Sequence, residues 1–311
     1  MTQIKLHKGQ SQIFNDLFIK KEVTYATAVC SRGFGKSHLG GAASLNAAFE
    51  LMDLDISVPN KNVYIVAPTY SQVTDIYHPL LVYQMGLGSY CISHSKDTGR
   101  ILLPKNVEIR LLSYEALDRV RGTGAYFIVN DEVRDWKKGD GFMKSWQGIL
   151  QPCLTTRWDR AKAKHFKAVS HGRALTISTP KGYDDLYDMY NMQERDSEHR
   201  AYHFDYTKSP LLDQEAIERL KHTTDPITFA REYKASFEES GNSVFYCFDR
   251  KVHVRNDMEY FRQGSAIEFG EDVHVGIDFN VGYISRPTIN LVNSGNNSKE
   301  SILSQALILI Y

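Results

Sequence analysis

Short apolar runs alternate with segments of helical composition along the first two-thirds of the chain. Val23 to Cys30 is a run of β-formers and small residues, and Gly35 to Leu51, rich in Ala and Leu, has the character of a helix. Val63 to Ala67 predicts a second buried strand and Ser71 to Tyr83 a second helix. Ile101 to Leu103 and Val107 to Leu112 predict short strands joined by Pro104, Lys105 and Asn106. Ala125 to Val129 and Ala174 to Ser178 complete a set of apolar strands. Strands that are apolar throughout are covered on both faces, so this order predicts an α/β fold with a parallel sheet flanked by helices. Residues 211–237 predict two helices divided around Thr224, Asp225 and Pro226. A charged, irregular stretch follows, and a new set of strands is expected over Val273 to Phe279, Pro287 to Val292 and Ile302 to Tyr311. Ser294, Gly295, Asn296 and Asn297 supply the turn before the last of these.

Composition narrows the picture only a little. The 311 residues are 42% hydrophobic and 24% charged, with a formal net charge of zero and a pI near 7.2. That length suits two domains. A protein that holds nucleic acid permanently is usually more basic, whereas one that grips and releases it need not be. Cys30, Cys91, Cys153 and Cys247 form no metal-binding spacing and are expected as reduced thiols in a cytoplasmic compartment. No secretory signal pattern opens the chain, and the apolar tail from Ile302 is too short for a membrane helix, so no membrane partner is expected.

The chemistry is concentrated where strands end. Cys30-Ser31-Arg32-Gly33-Phe34-Gly35-Lys36-Ser37 follows a strand and opens a helix, the context of a P-loop. Ser31, Arg32, Gly33, Phe34, Gly35, Lys36 and Ser37 would then cradle the phosphates of ATP with backbone N–H groups. Lys36 would reach the β and γ phosphates, and the Ser37 hydroxyl would ligate Mg²⁺. Cys30 stands where the usual pattern has glycine. A P-loop requires a second, acidic site, and the run Tyr126 to Asn130 ends in Asp131-Glu132. Asp131 would hold the metal and Glu132 would activate the attacking water. Gln10, one helix before the P-loop strand, is a candidate reader of the adenine edge. Ala67-Pro68-Thr69 ends the second strand like a helicase-type coupling segment. Ser178-Thr179-Pro180-Lys181-Gly182 ends the strand Ala174 to Ser178, where Ser178 and Thr179 would sense the γ-phosphate. The transition state also calls for an arginine. Arg32 would act in cis; Arg119 and Arg121 would act in trans on a neighbouring copy.

Taken in order, Ser31 to Ser37, Ala67-Pro68-Thr69, Arg121-Gly122, Asp131-Glu132 and Ser178 to Gly182 resemble the large terminase subunits of tailed bacteriophages. Phe229-Ala230-Arg231-Glu232-Tyr233-Lys234-Ala235-Ser236-Phe237 resembles the end of their ATPase region, and Val275-Gly276-Ile277-Asp278-Phe279-Asn280 the first strand of their RNase H-like nuclease. The resemblance spans residues 6–293. It implies a P-loop ATPase of the additional-strand, catalytic-glutamate class over 1–240, a linker over 241–272 and a partial RNase H-like domain over 273–311. It further implies a motor that moves double-stranded DNA into a procapsid in the host cell cytoplasm. Its partners would be the portal protein, a small terminase subunit and further copies of itself in a ring. Two other functions stay open on the residues. A DNA helicase or repair-type ATPase would need a second P-loop-like domain, which the residues after 240 do not supply. A non-catalytic ATP-binding remnant could instead associate with full-length motor subunits.

One part of the pattern departs from the family. Asp278 matches the first metal ligand of the nuclease, but 33 residues follow it and their sole acid is Glu300, in a polar turn. A nuclease that uses two metal ions needs three or four carboxylates, so no cutting is expected of this chain alone. Three strands without covering helices would expose apolar faces and a sheet edge. Limited proteolysis is therefore expected to trim the protein rapidly to a stable core ending near residue 245. A protease-resistant 311-residue monomer would contradict this expectation.

Overall fold

A computed structural model describes residues 4–53, 61–136, 141–155 and 172–237, and the backbone of 273–277 and 289–293. The chain divides into two units, Met1–Gly241 and Asn242–Tyr311. The first is built on eight strands: β1 (Tyr25–Cys30), β2 (Lys61–Ala67), β3 (Ser93–Ser95), β4 (Arg100–Leu103), β5 (Val107–Ser113), β6 (Phe127–Asp131), β7 (Arg173–Ser178) and β8 (His199–Phe204). They lie in the order β3-β4-β5-β2-β6-β7-β1-β8. From β5 to β8 every pairing is parallel, and β3, β4 and β5 form an antiparallel margin.

The continuous apolar runs of the sequence are the inner strands. Every residue of β1, β6 and β7 is buried, as is all of β2 beyond its first residue. Alternate side chains serve opposite faces, as the pleat requires. Ala26, Ala28 and Cys30 face one layer with Val63, Ile65, Phe127 and Val129. Tyr25 and Val29 face the other with Tyr64, Val66 and Ile128. The first layer is covered by α1 (Lys8–Phe14), which continues as a wider turn over Asn15–Ile19, by α2 (Lys36–Asp53), and by α3 (Tyr70–Pro79), which continues over Leu80–Gln84. The second is covered by the 3₁₀ segment Tyr114–Val120 and the helical run from Gly141 to Thr155, whose Trp146 is completely buried.

Two positions in the sheet carry the later argument. β7 lies between β1 and β6, pairing Val29 with Ser178 on one side and Asp131 with Ile177 on the other. β8, which the apolar pattern does not reveal, flanks β1 on its far side. Its burial is broken by half-exposed and exposed residues, as suits an edge strand, and that polarity hides it from a search for apolar runs. The helical segments Gly141–Ser145 and Asp185–Asn191 were likewise not expected, whereas the division of residues 211–237 into Gln214–Thr223 and Pro226–Glu232 agrees with expectation. In the second unit, β9 (Val273–Ile277) and β10 (Ile289–Asn293) pair antiparallel. Asp278 and the third expected strand lie outside the described residues.

One buried cation ties the first layer to the sheet. The Arg173 guanidinium donates to Leu17 O at 2.6 Å, to Tyr126 Oη at 3.1 Å and to the Glu50 carboxylate, and lies over the Phe18 ring at 4.6 Å. It thereby joins β7 to β6, to α2 and to the turn after α1. Removing the guanidinium leaves the Leu17 carbonyl without this donor and Glu50 with Lys21 at 3.6 Å and the Tyr126 hydroxyl at 2.8 Å. Arg173→Met is expected to lower the unfolding free energy by about 3 kcal/mol, measured by urea denaturation; a loss below about 1 kcal/mol would show the network to be incidental.

Candidate nucleotide site

The loop between β1 and α2 is shaped by glycine and anchored by an aromatic ring. Gly33 and Gly35 have φ of +75° and +85°, a region that side chains rarely adopt. A Cβ on Gly33 would stand 2.5 Å from Leu212, and one on Gly35 would stand 2.5 Å from the Gln10 amide. Phe34, between them, points away from the loop's concave side. It is fully buried, stacks on Phe204 of β8 at 4.9 Å, and meets the His7 ring edge-on at 4.7 Å. Backbone and side-chain bonds complete the frame. Ser31 N–H donates to Phe204 O at 2.9 Å, Arg32 N–H donates to Glu232 O at 2.6 Å, and the Ser209 hydroxyl donates to Gly33 O at 3.0 Å.

Gln10 belongs to this frame. It is 2% exposed; its amide nitrogen donates to Gly35 O at 2.9 Å, and its oxygen accepts the His7 N–H at 3.1 Å. The side chain expected to read the adenine edge is thus bonded to the loop backbone at Gly35. Cys30, in the place where glycine was expected, is fully buried, and burial pushes its thiol up to about 12, so it is an inert filler.

At the carboxyl ends of β1, β7 and β6 the charged groups converge. Lys36 is 9% exposed; its ammonium donates to Thr179 Oγ1 at 2.7 Å and Ser31 O at 3.3 Å, and stands 3.5 Å from Glu132 Oε1. Ser178 Oγ donates to Glu132 Oε2 at 3.3 Å. Ser178 and Thr179 thus occupy the gap between the lysine and the acidic pair, where the interposed strand carries them. Glu132 has φ 49° and ψ 49°, a left-handed conformation costing about 1–3 kcal/mol in a residue other than glycine. The reversal is held by Glu132 N–H donating to Ile177 O at 2.9 Å and by the Trp136 indole donating to Asp131 O at 3.1 Å.

Asp131 is 3% exposed, and Tyr77 donates to its Oδ2 at 2.7 Å. Its Oδ1 is buried without a partner. Burial, then the neighbouring Glu132 carboxylate, push the Asp131 carboxyl up to about 7. Ser37 interacts with the same Tyr77 hydroxyl. A buried carboxylate with one unpartnered oxygen, beside a serine hydroxyl, is a donor set that fits Mg²⁺, which takes oxygen ligands and keeps several waters. Asp278, expected as the first metal ligand of the separate nuclease site, lies outside the described residues.

The three candidate arginines are placed differently; Arg119 is exposed on the segment Tyr114–Val120. Arg32 is exposed within the loop itself. Arg121 is bonded to Asp118 Oδ1 at 2.6 Å and to Gly148 O at 3.4 Å, on the helical run from Gly141, and among the described residues makes no bond to the loop. Sequence reading missed Arg134. Arg134 donates to Glu232 Oε1 at 2.8 Å, and its Nε stands 3.7 Å from Glu132 Oε2, so it joins the acidic strand end to the helix Pro226–Glu232. Its nearness to the acidic pair in sequence was the available signal; Glu232 stood within the run Phe229 to Phe237, with nothing to pair it with Arg134.

Known structures share this architecture. No family model matches the chain, and no curated protein matches it in sequence. The large terminase ATPase domain of Thermus phage P74-26 superposes with a TM-score of 0.54 at 21% identity, over 75% of this chain and 94% of that one. The large terminase of another thermophilic bacteriophage does so with a TM-score of 0.53 at 12% identity, over 93% of this chain and 65% of that one. The same thermophilic phage protein in complex with ATP-γ-S gives 0.51 at 12% identity, over 93% of this chain and 64% of that one. The chain therefore has the fold of large terminase ATPase domains, and it spans just under two-thirds of the length of the second phage's protein.

The raised Asp131 carboxyl has a consequence for stability without metal. A folded value above the ordinary one means that the folded state holds the proton more tightly. Relative to a variant lacking the group, stability is fully present below about pH 4 and is lost as pH rises towards 7. In EDTA above pH 7, Asp131→Asn is expected to be more stable than the wild type by at least about 1 kcal/mol, with the difference vanishing below pH 4. Equal stabilities at pH 8 in thermal or urea unfolding would refute it.

Proposed function

We propose that residues 1–240 form an ATPase that uses Mg²⁺ and drives double-stranded DNA into a viral procapsid. The observation that carries this reading is the convergence of Lys36, Thr179 and Glu132 at the ends of three adjacent parallel strands, beside a buried Asp131 oxygen without a partner. Lys36 is held by oxygen atoms that a phosphate group would replace. On nucleotide binding the ammonium would turn to the β and γ phosphates, with N–H groups of the loop and the first turn of α2 around it. Glu132, released from the lysine, would accept a proton from the attacking water. Mg²⁺, when bound, would offset charge across the β and γ phosphate oxygens. Ser178 and Thr179 are poised to register the γ-phosphate because they already contact both Lys36 and Glu132.

The strand between β1 and β6 supports the additional-strand, catalytic-glutamate reading. Exposed Arg32 suits stabilisation of the transition state in cis. Arg121, turned away from its own loop, suits a neighbouring copy's site, as a ring would require. A ring of copies, the portal protein and a small terminase subunit are the proposed partners, in the host cytoplasm. Among the described residues no helix is long and apolar enough to cross a membrane. Residues 241–272 are proposed as a linker and 273–311 as the beginning of an RNase H-like sheet. Its nuclease reading is confined to Asp278 as a first metal-ligand position.

ATP hydrolysis by the wild type and Glu132→Ala, with and without Mg²⁺ and double-stranded DNA, tests the proposal. Hydrolysis should require Mg²⁺, rise with DNA, and fall about 10²–10⁴-fold in the variant while ATP binding persists. A wild type that binds no ATP would overturn the reading.

A further inference from the structure

Tyr77 stands at the centre of this site, although no motif includes it. It lies on α3 and is completely buried. Its hydroxyl donates to Asp131 Oδ2 at 2.7 Å and also interacts with the Ser37 side chain, so it touches both groups proposed to hold Mg²⁺. The Asp131 carboxylate is thereby divided: one oxygen is held by the phenol, and the other is buried without a partner.

A glycine makes room for this arrangement. Gly40 sits inside α2, where glycine costs about 1 kcal/mol relative to alanine, so its presence calls for a reason. A Cβ there would stand 2.8 Å from the Tyr77 hydroxyl oxygen, closer than to Val129 at 3.2 Å or Ile177 at 3.4 Å. The hydroxyl belongs to a ring packed with no exposed surface, so it has little room to yield.

We propose that Tyr77 is a positioning residue for the metal: its hydroxyl turns Asp131 so that Oδ1 faces the cation beside Ser37, and Gly40 keeps the space for that hydroxyl. This rests on the Mg²⁺-ATP reading above. It also gives Ala67-Pro68-Thr69 a connection to the site. Thr69 caps the helix that carries Tyr77, so a shift of that turn along α3 would reach the metal-binding carboxylate through one hydrogen bond.

Tyr77→Phe, Gly40→Ala and the double variant of the full chain decide the matter. Two quantities are read: affinity for a fluorescent ATP-γ-S analogue in EDTA, and the midpoint of a Mn²⁺ titration followed by electron paramagnetic resonance at saturating ATP-γ-S. Loss of a group that orients a metal ligand typically weakens metal binding 10–100-fold. Tyr77→Phe is expected to raise the metal midpoint about tenfold while leaving metal-free nucleotide affinity within about twofold. Gly40→Ala should raise the midpoint similarly, and the double variant no further than Tyr77→Phe, because phenylalanine lacks the oxygen that the new methyl meets. Midpoints within about twofold of wild type in both single variants would overturn the proposal, as would multiplicative effects in the double variant. If Tyr77→Phe does not fold, an unchanged midpoint in Gly40→Ala overturns it alone. A wild type that binds no nucleotide, with or without metal, would instead sink the ATP reading on which it depends.

Discussion

Lys36 is a cation confined to 9% exposure, and the end of the sheet is arranged around that constraint. A buried ammonium is tolerated only where oxygen atoms surround it. Three different chain segments supply them: Ser31 from its own loop, Thr179 from the neighbouring strand end, and Glu132 from the strand beyond. This set of partners would not be in reach if β1 and β6 were adjacent in the sheet or if β7 lay elsewhere. The parallel order β6-β7-β1 is thus the condition for a compensated lysine, and the same order sets the glutamate one strand away from the phosphate cradle.

The cradle is stiff for reasons outside its own sequence. Phe34 is pinned by Phe204 of an edge strand, and Gly35 O by Gln10 of the first helix. Arg32 N–H and Gly33 O are held by residues 232 and 209 respectively. The helix Pro226–Glu232 bonds both to the loop backbone and, through Arg134, to a guanidinium beside Glu132. A displacement of that helix would be felt at once by the phosphate loop and by the acidic strand end. Tyr77 reaches the Asp131 carboxylate from the layer of α3. The site is therefore in contact with several elements packed around the sheet, so a change in its geometry would be transmitted to more than one of them.

The stability of the site itself is compromised in the manner of functional centres. Glu132 holds a left-handed backbone, Asp131 keeps a buried oxygen without a partner, and the Ser31 hydroxyl is buried without one too. Such groups cost stability unless a ligand arrives to use them. The rigid surroundings, with Arg173 binding sheet to helices and Trp146 filling the second layer, keep them in place meanwhile.

The alternation of apolar runs with helices marked the inner strands because a parallel strand, covered on both faces, must be apolar along its whole length. Gly33, Gly35 and Lys36 were legible for an equally local reason: a loop that passes from strand to helix through left-handed positions has few possible spellings. Asp131 and Glu132 could be named as an acidic strand end, but not as neighbours of Lys36, since sequence order does not say which strand lies between. Gln10 shows the limit plainly: the sequence places it one helix before the loop strand, and only the packing shows its amide bonded to Gly35 O. β8 escaped because an edge strand need not be apolar, and Tyr77, Gly40 and Arg134 escaped because each meets a partner distant in the chain. Residue order was enough to specify local chemistry: which segments are buried, and where a phosphate loop and a carboxylate pair begin. Which of those groups touch was left to the packing of strands and helices, because burial is a property of a residue while contact is a property of two.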